Sequence, residues 1–172
     1  MITIPTLETE RMILRGPKPD DFEPFAKFLT TERSAEIGGP ASRSEAWRGM
    51  AMMIGHWELR GYGMWWLEER ASGRAVGRVG LWNPEGWPAL ELGWVVYDEF
   101  EARGYAYEAA VASRDYARKT MPSNTLISLI APENARSIRL AERLGATRSG
   151  TWASPAGKEA LIYTHPEPEA KA

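Results

Sequence analysis

Apolar positions along the chain recur at two spacings, and the changes of spacing mark its elements. Met12 and Leu14 alternate with polar neighbours between Arg11 and Arg15, the two-residue period of a strand. Pro19-Asp20-Asp21 then opens a helix, with acids beside its positive end. Phe22, Phe25, Phe28 and Leu29 follow at helical spacing. Gly38-Gly39-Pro40 breaks the chain, and Ser42 or Ser44 caps a second helix whose apolar stripe reads Trp47, Met50, Ile54 and Trp57. Three strand-like runs come next, 63–69, 75–82 and 89–97. The turns at Ala71-Ser72-Gly73 and Asn83-Pro84-Glu85-Gly86 make them an antiparallel meander.

Beyond Tyr105 the period returns to helical. Ala106, Ala109, Ala110, Ser113 and Ala117 form a small inward face up to Lys119. The 126–131 run is short and almost wholly apolar, a strand buried on both faces. A helix over 134–144 stops at Gly145, and strands over 147–152 and 160–164 close the pattern. The order β-α-α-β-β-β-α-β-α-β-β is that of a mixed α/β single domain. Its strand–helix–strand unit at 89–131 supplies a parallel pair, because a crossover helix returns the chain in the same direction. The domain is expected over 1–165. His165 opens a Pro/Glu-rich polar end expected to form no core, and residues 166–172 are expected to be a flexible tail.

Composition narrows the chemistry. The 172 residues contain no cysteine, which excludes a thiolate metal site, an iron–sulfur cluster and a cysteine nucleophile. Two histidines, His56 and His165, are too few for a multi-histidine zinc centre, and no metal is expected. A net charge of −2 argues against a nucleic-acid partner, which calls for a basic excess. No basic segment leads into an apolar core at the start, and no apolar run approaches the ~20 residues of a membrane helix. A cytoplasmic protein without a membrane partner is expected. Eight tryptophans fit either a packed core or a flat apolar acceptor pocket.

The segment 94–106 carries the first chemical signal. A strand ends, a loop follows, and a helix opens at Arg103-Gly104 with no Ser, Thr, Asp or Asn at the cap position. Such a start leaves N–H groups free for an anion, and Gly104 lets the backbone approach it closely. A purely structural glycine at the junction would look the same. There is no Walker A loop and no G-x-G-x-x-G dinucleotide fingerprint. The second signal is 132–146, where Asn134 starts a helix and Ser137 stands one turn in.

Taken together, Leu90-Glu91-Leu92-Gly93-Trp94, Arg103-Gly104-Tyr105-Ala106-x-Glu108-Ala109 and Asn134-x-x-Ser137…Gly145 resemble the GNAT (GCN5-related N-acetyltransferase) superfamily. Within it they are most similar to the branch of ribosomal-protein N-terminal acetyltransferases. The likeness covers nearly the whole chain. It implies a mostly antiparallel sheet with a central splayed parallel pair flanked by helices. It also implies acetyl-CoA as co-substrate, a primary amine as acceptor (a peptide or protein N-terminus, or a small molecule), direct attack in a ternary complex, and a possible homodimer.

By the same resemblance the N–H groups of Ala102, Arg103, Gly104, Tyr105 and Ala106 would hold the pyrophosphate. Val95 and Val96 would offer backbone groups to the pantetheine arm and the thioester. Asn134, Arg136 and Arg139 would add contacts to the arm and the 3′-phosphate. Glu91 would be the general base, and Ser137 the acid that protonates the leaving sulfur. Glu91 as a solvated strand position and Ser137 as an inert first-turn residue are the structural alternatives. Two positions depart from the family pattern: Glu101 stands where Gln or Arg is usual, and Ala141 where many members place Tyr. They keep open a non-catalytic acyl-CoA-binding module or sensor. A third possibility is an interaction protein using its tryptophans as the contact. Glu108 is expected to be structural, and His56 a packed or surface side chain.

Overall fold

The computed structural model describes residues 3–167. Its sheet has eight strands: β1 (Leu7–Glu8), β2 (Met12–Arg15), β3 (Met64–Glu69), β4 (Ala75–Trp82), β5 (Leu90–Val96), β6 (Leu126–Ile130), β7 (Thr147–Ala153) and β8 (Glu159–Thr164). Their order is β1-β2-β3-β4-β5-β6-β8-β7. β5 and β6 are parallel, and every other neighbouring pair is antiparallel. The helices are α1 (Phe22–Leu29), α2 (Arg43–Arg60), α3 (Tyr105–Thr120) and α4 (Ala135–Arg143). This is the mixed α/β architecture with one parallel pair that the periodicity predicts; the two-residue β1 has too short a pattern to be seen.

Strand alternation sorts the helices onto the two faces. Arg15, Trp66, Arg78 and Val95 stand opposite one another across four strands and so share a face. α1 covers that face, with Phe25 at 6.0 Å from Trp66 and 5.4 Å from the Arg78 guanidinium. Trp65 points to the other face, where Tyr116 of α3 meets it edge-on at 5.2 Å. Trp57, Trp65 and Trp66 are wholly buried, so these three tryptophans are core. α4 lies over the far end of the sheet, around a satellite core of Ile130, Ala141, Ala146, Leu161 and Tyr163.

Two expectations need correction. The buried stripe of α2 is Ala46, Met50, Met53 and Trp57, while Trp47 and Ile54 are 62% and 46% exposed. Both stripes pass through Met50 and Trp57. α2 carries apolar residues almost all round, so spacing alone does not set its phase. The helix start is as read: Ser42 caps it, accepting from the Glu45 N–H.

His165 is no tail residue. It is 4% exposed, its N–H donates to the Leu126 carbonyl at 2.9 Å, and its Nε2 lies 2.9 Å from the Ser128 hydroxyl. The Pro166 carbonyl accepts from Arg118 at 2.6 Å. The rest of the expected tail, from 168 on, lies outside the described residues. No helix is long and apolar enough to cross a membrane among the described residues.

Candidate active site

The parallel ladder between β5 and β6 consists of Leu90 opposite Leu126 and Glu91 opposite Ile127. At the next position the Ser128 hydroxyl donates to the Leu92 carbonyl at 2.7 Å, so a side chain takes over from the backbone. Further along β5, the Tyr97 N–H bonds the Val76 carbonyl, and Val95 stands opposite Arg78. The two-residue alternation of an antiparallel ladder then turns the backbone of Val95 toward β4. It turns those of Trp94 and Val96 toward the gap beside β6. Val95 and Val96 were expected to act alike; the sheet separates them and brings in Trp94.

A cleft of about 520 Å³ opens at this gap, lined by the end of β5, the loop 100–104, the start of α3 and one face of α4. Ala102 and Gly104 are both left-handed, with φ of 57° and 81°. A left-handed alanine costs about 1 kcal/mol or more, so the surroundings must hold the loop. Arg11, just ahead of β2, does so. Its Nη1 donates to the Arg103 carbonyl at 2.7 Å, while its N–H and Nε donate to Glu108 at 2.9 and 2.7 Å. Glu108 is thus structural, as expected. α3 starts with no side-chain cap, and its first N–H groups face the cleft mouth lined by Gly104, Tyr105 and Ala106.

Five arginines line the cleft, Arg33, Arg103, Arg136, Arg139 and Arg143, against two acids, Glu36 and Glu101. Glu101 does not turn away from the site. Arg136 Nη1 donates to its two oxygens at 3.0 and 3.1 Å, and Arg33 pairs with it from the other side. Two cations answer the one acid, which lifts the like-charge objection to an anion beside Glu101. Asn134 caps α4 as expected, its Oδ1 accepting from the Ser137 N–H at 3.0 Å, and its Nδ2 donates to Glu36 at 2.8 Å. Arg103 folds back, with Nη2 on the Glu99 carbonyl at 2.9 Å.

Arg33 and Arg143 were not among the expected residues. Arg143 is one helical turn beyond Arg139 and two beyond Arg136, a stripe the sequence displays. Arg33 comes from the short helical turns after α1, and no local pattern connects it to α4.

Ser137 lines the cleft, and its Oγ accepts from Trp94 Nε1 at 3.2 Å. That leaves the hydroxyl hydrogen free to donate. Ala141 is sealed in the satellite core, so its position sends no group into the cleft. Glu91 is not on this side. It shares the opposite sheet face with Val95 and Arg78. Trp87 Nε1 donates to Glu91 Oε2 at 2.6 Å, and Trp87 packs on Trp152 at 5.0 Å. Burial pushes the Glu91 carboxyl up to about 7, against the opposing pull of Trp87, the Leu129 N–H and Arg78. Glu91 and Ser137 therefore stand on opposite sides of the β5–β6 gap.

His56 is packed. Its Nδ1 meets the Tyr62 carbonyl at 2.8 Å, its Nε2 accepts from the Asn83 N–H at 3.1 Å, and its ring stacks on Trp82 at 4.3 Å. Among the described residues, no group of three His, Asp or Glu side chains is placed to hold a metal ion.

Comparison with known proteins bears on this arrangement. An acetyltransferase (GNAT) domain model matches residues 11–147. A Bacillus subtilis (strain 168) protein named as an uncharacterized N-acetyltransferase, YnaD, is 33% identical over 86 residues, which is 49% of this chain and 51% of that protein. Matches to the curated relatives span 51% to 60% of those proteins' length. The crystal structure of an acetyltransferase from Agrobacterium tumefaciens str. C58 superposes with a TM-score of 0.88 at 34% identity, covering 97% of both chains. A ribosomal-protein-S5-alanine acetyltransferase from Vibrio fischeri shares the fold, with a TM-score of 0.74 at 15% identity, covering 98% of this chain and 100% of its own.

Proposed function

The chain belongs to the GNAT acetyltransferase family, and from that premise we propose that it moves the acetyl group of acetyl-CoA to a primary amine by direct attack in a ternary complex. One observation carries the reading. The uncapped start of α3 opens into a cleft with three more cations than anions, beside the gap between β5 and β6. Backbone N–H groups and a helix dipole suit a diphosphate there, and the diphosphate would itself serve as the missing cap.

The residues fit the co-substrate. The N–H groups of Ala102, Arg103, Gly104, Tyr105 and Ala106 would hold its pyrophosphate. Arg136 and Arg139, joined by Arg143, would face further phosphate. Trp94 and Val96 present backbone groups to its arm, with Asn134 beside them. When bound, acetyl-CoA supplies an electrophilic thioester carbonyl. Glu91 takes the proton from the acceptor's ammonium on the other side of the sheet, directly or through water, because its pKa near 7 suits a base at neutral pH. Ser137 donates its hydroxyl hydrogen to the leaving sulfur, and Trp94 holds that hydroxyl in orientation. With no cysteine in the chain, no thiol acetyl-enzyme forms.

Thermal unfolding with acetyl-CoA, followed by CoA release against a panel of amines, tests the proposal. Stabilisation and turnover are expected. Stabilisation without turnover on any amine would favour the acyl-CoA sensor, and no stabilisation at millimolar acetyl-CoA would defeat both readings.

A further inference from the structure

The face of the sheet that carries Glu91 also carries a cation in no ion pair: Arg78 feels the Glu91 carboxylate only from a distance. Arg78 shares that face with Arg15, two strands away, and the two arginines are treated differently. Arg15 donates to Asp21 at 2.7 and 2.9 Å and to Glu68 at 2.6 Å. Arg78 has no carboxylate within ion-pair distance among the described residues. Its Nη1 reaches the Met53 thioether, its guanidinium lies over the Phe25 ring, and its Nε is shut from solvent without a partner. A thioether is a weak acceptor, and a ring face carries no net charge. The nearby Tyr97 phenol is no counterion either, since burial pushes its pKa up and keeps it neutral. Holding a half-buried guanidinium this way is costly unless an anion completes it.

Arg78 and Glu91 are joined along this face by a row without side chains. Arg78 stands opposite Val95, and Glu91 is four residues further along β5, about 13 Å by strand rise. The row between them is Gly80 opposite Gly93; the backbone of Gly63 and Met64 covers Gly80, so only Gly93 is open there. At Gly93 the nearest groups to an added Cβ would be the Glu91 carboxylate at 3.7 Å and the Met64 methyl at 3.8 Å, ordinary contact distances. A base candidate and an unpaired fork of donors thus stand at the two ends of a floor of backbone.

We infer that the acceptor amine carries a carboxylate, and that Arg78 binds it while Glu91 faces the amine. This rests on the acetyl-transfer reading and names its substrate class: amino acids and related aminocarboxylates. The guanidinium fork matches a carboxylate with two parallel hydrogen bonds, and its charge works against polyamines. Glu36, an acid available in principle for a polycation, is engaged with Asn134 in the cofactor cleft instead.

The test compares kcat/KM for matched pairs, each an amino acid and its carboxamide, with acetyl-CoA. The wild-type protein should favour the acid by about tenfold or more. Arg78→Met should bring the ratio close to one, and Arg78→Lys, which keeps the charge but loses the fork, should give an intermediate ratio. Each ratio is read within one protein preparation, so a loss of folded material does not change it. Equal use of acid and carboxamide by the wild-type protein overturns the assignment, as does an undiminished preference in Arg78→Met. Absence of CoA release with every acid and every carboxamide would instead defeat the acetyl-transfer reading beneath it.

Discussion

Replacing Trp87 by Phe tests the proposed base without touching the carboxylate. The Trp87 indole donates to Glu91 Oε2 at 2.6 Å and so favours the ionised form. A hydrogen bond to a charged group is worth ~1.5–3 kcal/mol, and one pKa unit corresponds to about 1.4 kcal/mol. Losing the bond therefore raises the Glu91 pKa by roughly 1–2 units. Trp87 is only half-buried, so water replaces part of the interaction, and the lower end, about 1 unit, is expected. Phenylalanine keeps a ring against Trp152, which confines the change to the lost N–H.

The wild-type rate should rise with pH through about 7, because the base works as its carboxylate. In Trp87→Phe that limb should move to about 8. At pH 6 the variant should run about tenfold slower, and at pH 9 the two should converge. Loss of thioester absorbance from pH 5.5 to 9.5 measures the profile, with Glu91→Gln as the control that removes the limb. A limb that stays in place, or moves down, refutes the reasoning. An unmoved limb would belong to the acceptor amine instead.

Ser137→Ala should slow turnover by about a hundredfold or more with little change in acetyl-CoA affinity, since the backbone bond from residue 137 to Asn134 survives; calorimetry beside kinetics separates the two. Glu101→Gln releases Arg33 and Arg136, so acetyl-CoA should bind severalfold tighter at low salt, with the gain fading as salt is added; equal affinity at every salt concentration would contradict this. Burial pushes His165 down to about 4, so the folded state keeps it neutral while the unfolded chain protonates near 6.5. Stability from this group is therefore present above pH 6.5 and lost as pH falls toward 4, by about 2–3 kcal/mol at pH 4.5. Urea unfolding of His165→Gln should show a correspondingly smaller loss between pH 7.5 and 4.5 than the wild-type protein.

The order of elements and the motif residues were legible because each rests on neighbours in the chain. Spacing of 2 or 3.6 residues, a missing cap before Tyr105 and Asn134 three residues before Ser137 are local facts, and the structure keeps them. The phase of α2 was not legible. Several apolar faces compete on it, and burial against β3 and β4 decides, through Trp57 on the Met64 carbonyl and Met53 on Arg78. His165 was misread for a related reason. A Pro/Glu-rich neighbourhood describes how a segment meets water, but pairing with Leu126 and Ser128 is set by a strand almost forty residues upstream.

The sequence alone determined that this is one α/β domain with a parallel pair, an uncapped helix and no thiol chemistry. Only the tertiary structure decided which side of the sheet each chemical group occupies. It put Ser137 in one cleft and Glu91 on the opposite face, answered Glu101 with two arginines, and left Arg78 in no ion pair among the described residues. Periodicity specifies whether a residue faces in or out of its own element. Which charges then meet depends on how elements far apart in the chain pack, and that is settled by burial and ion pairing across the whole fold.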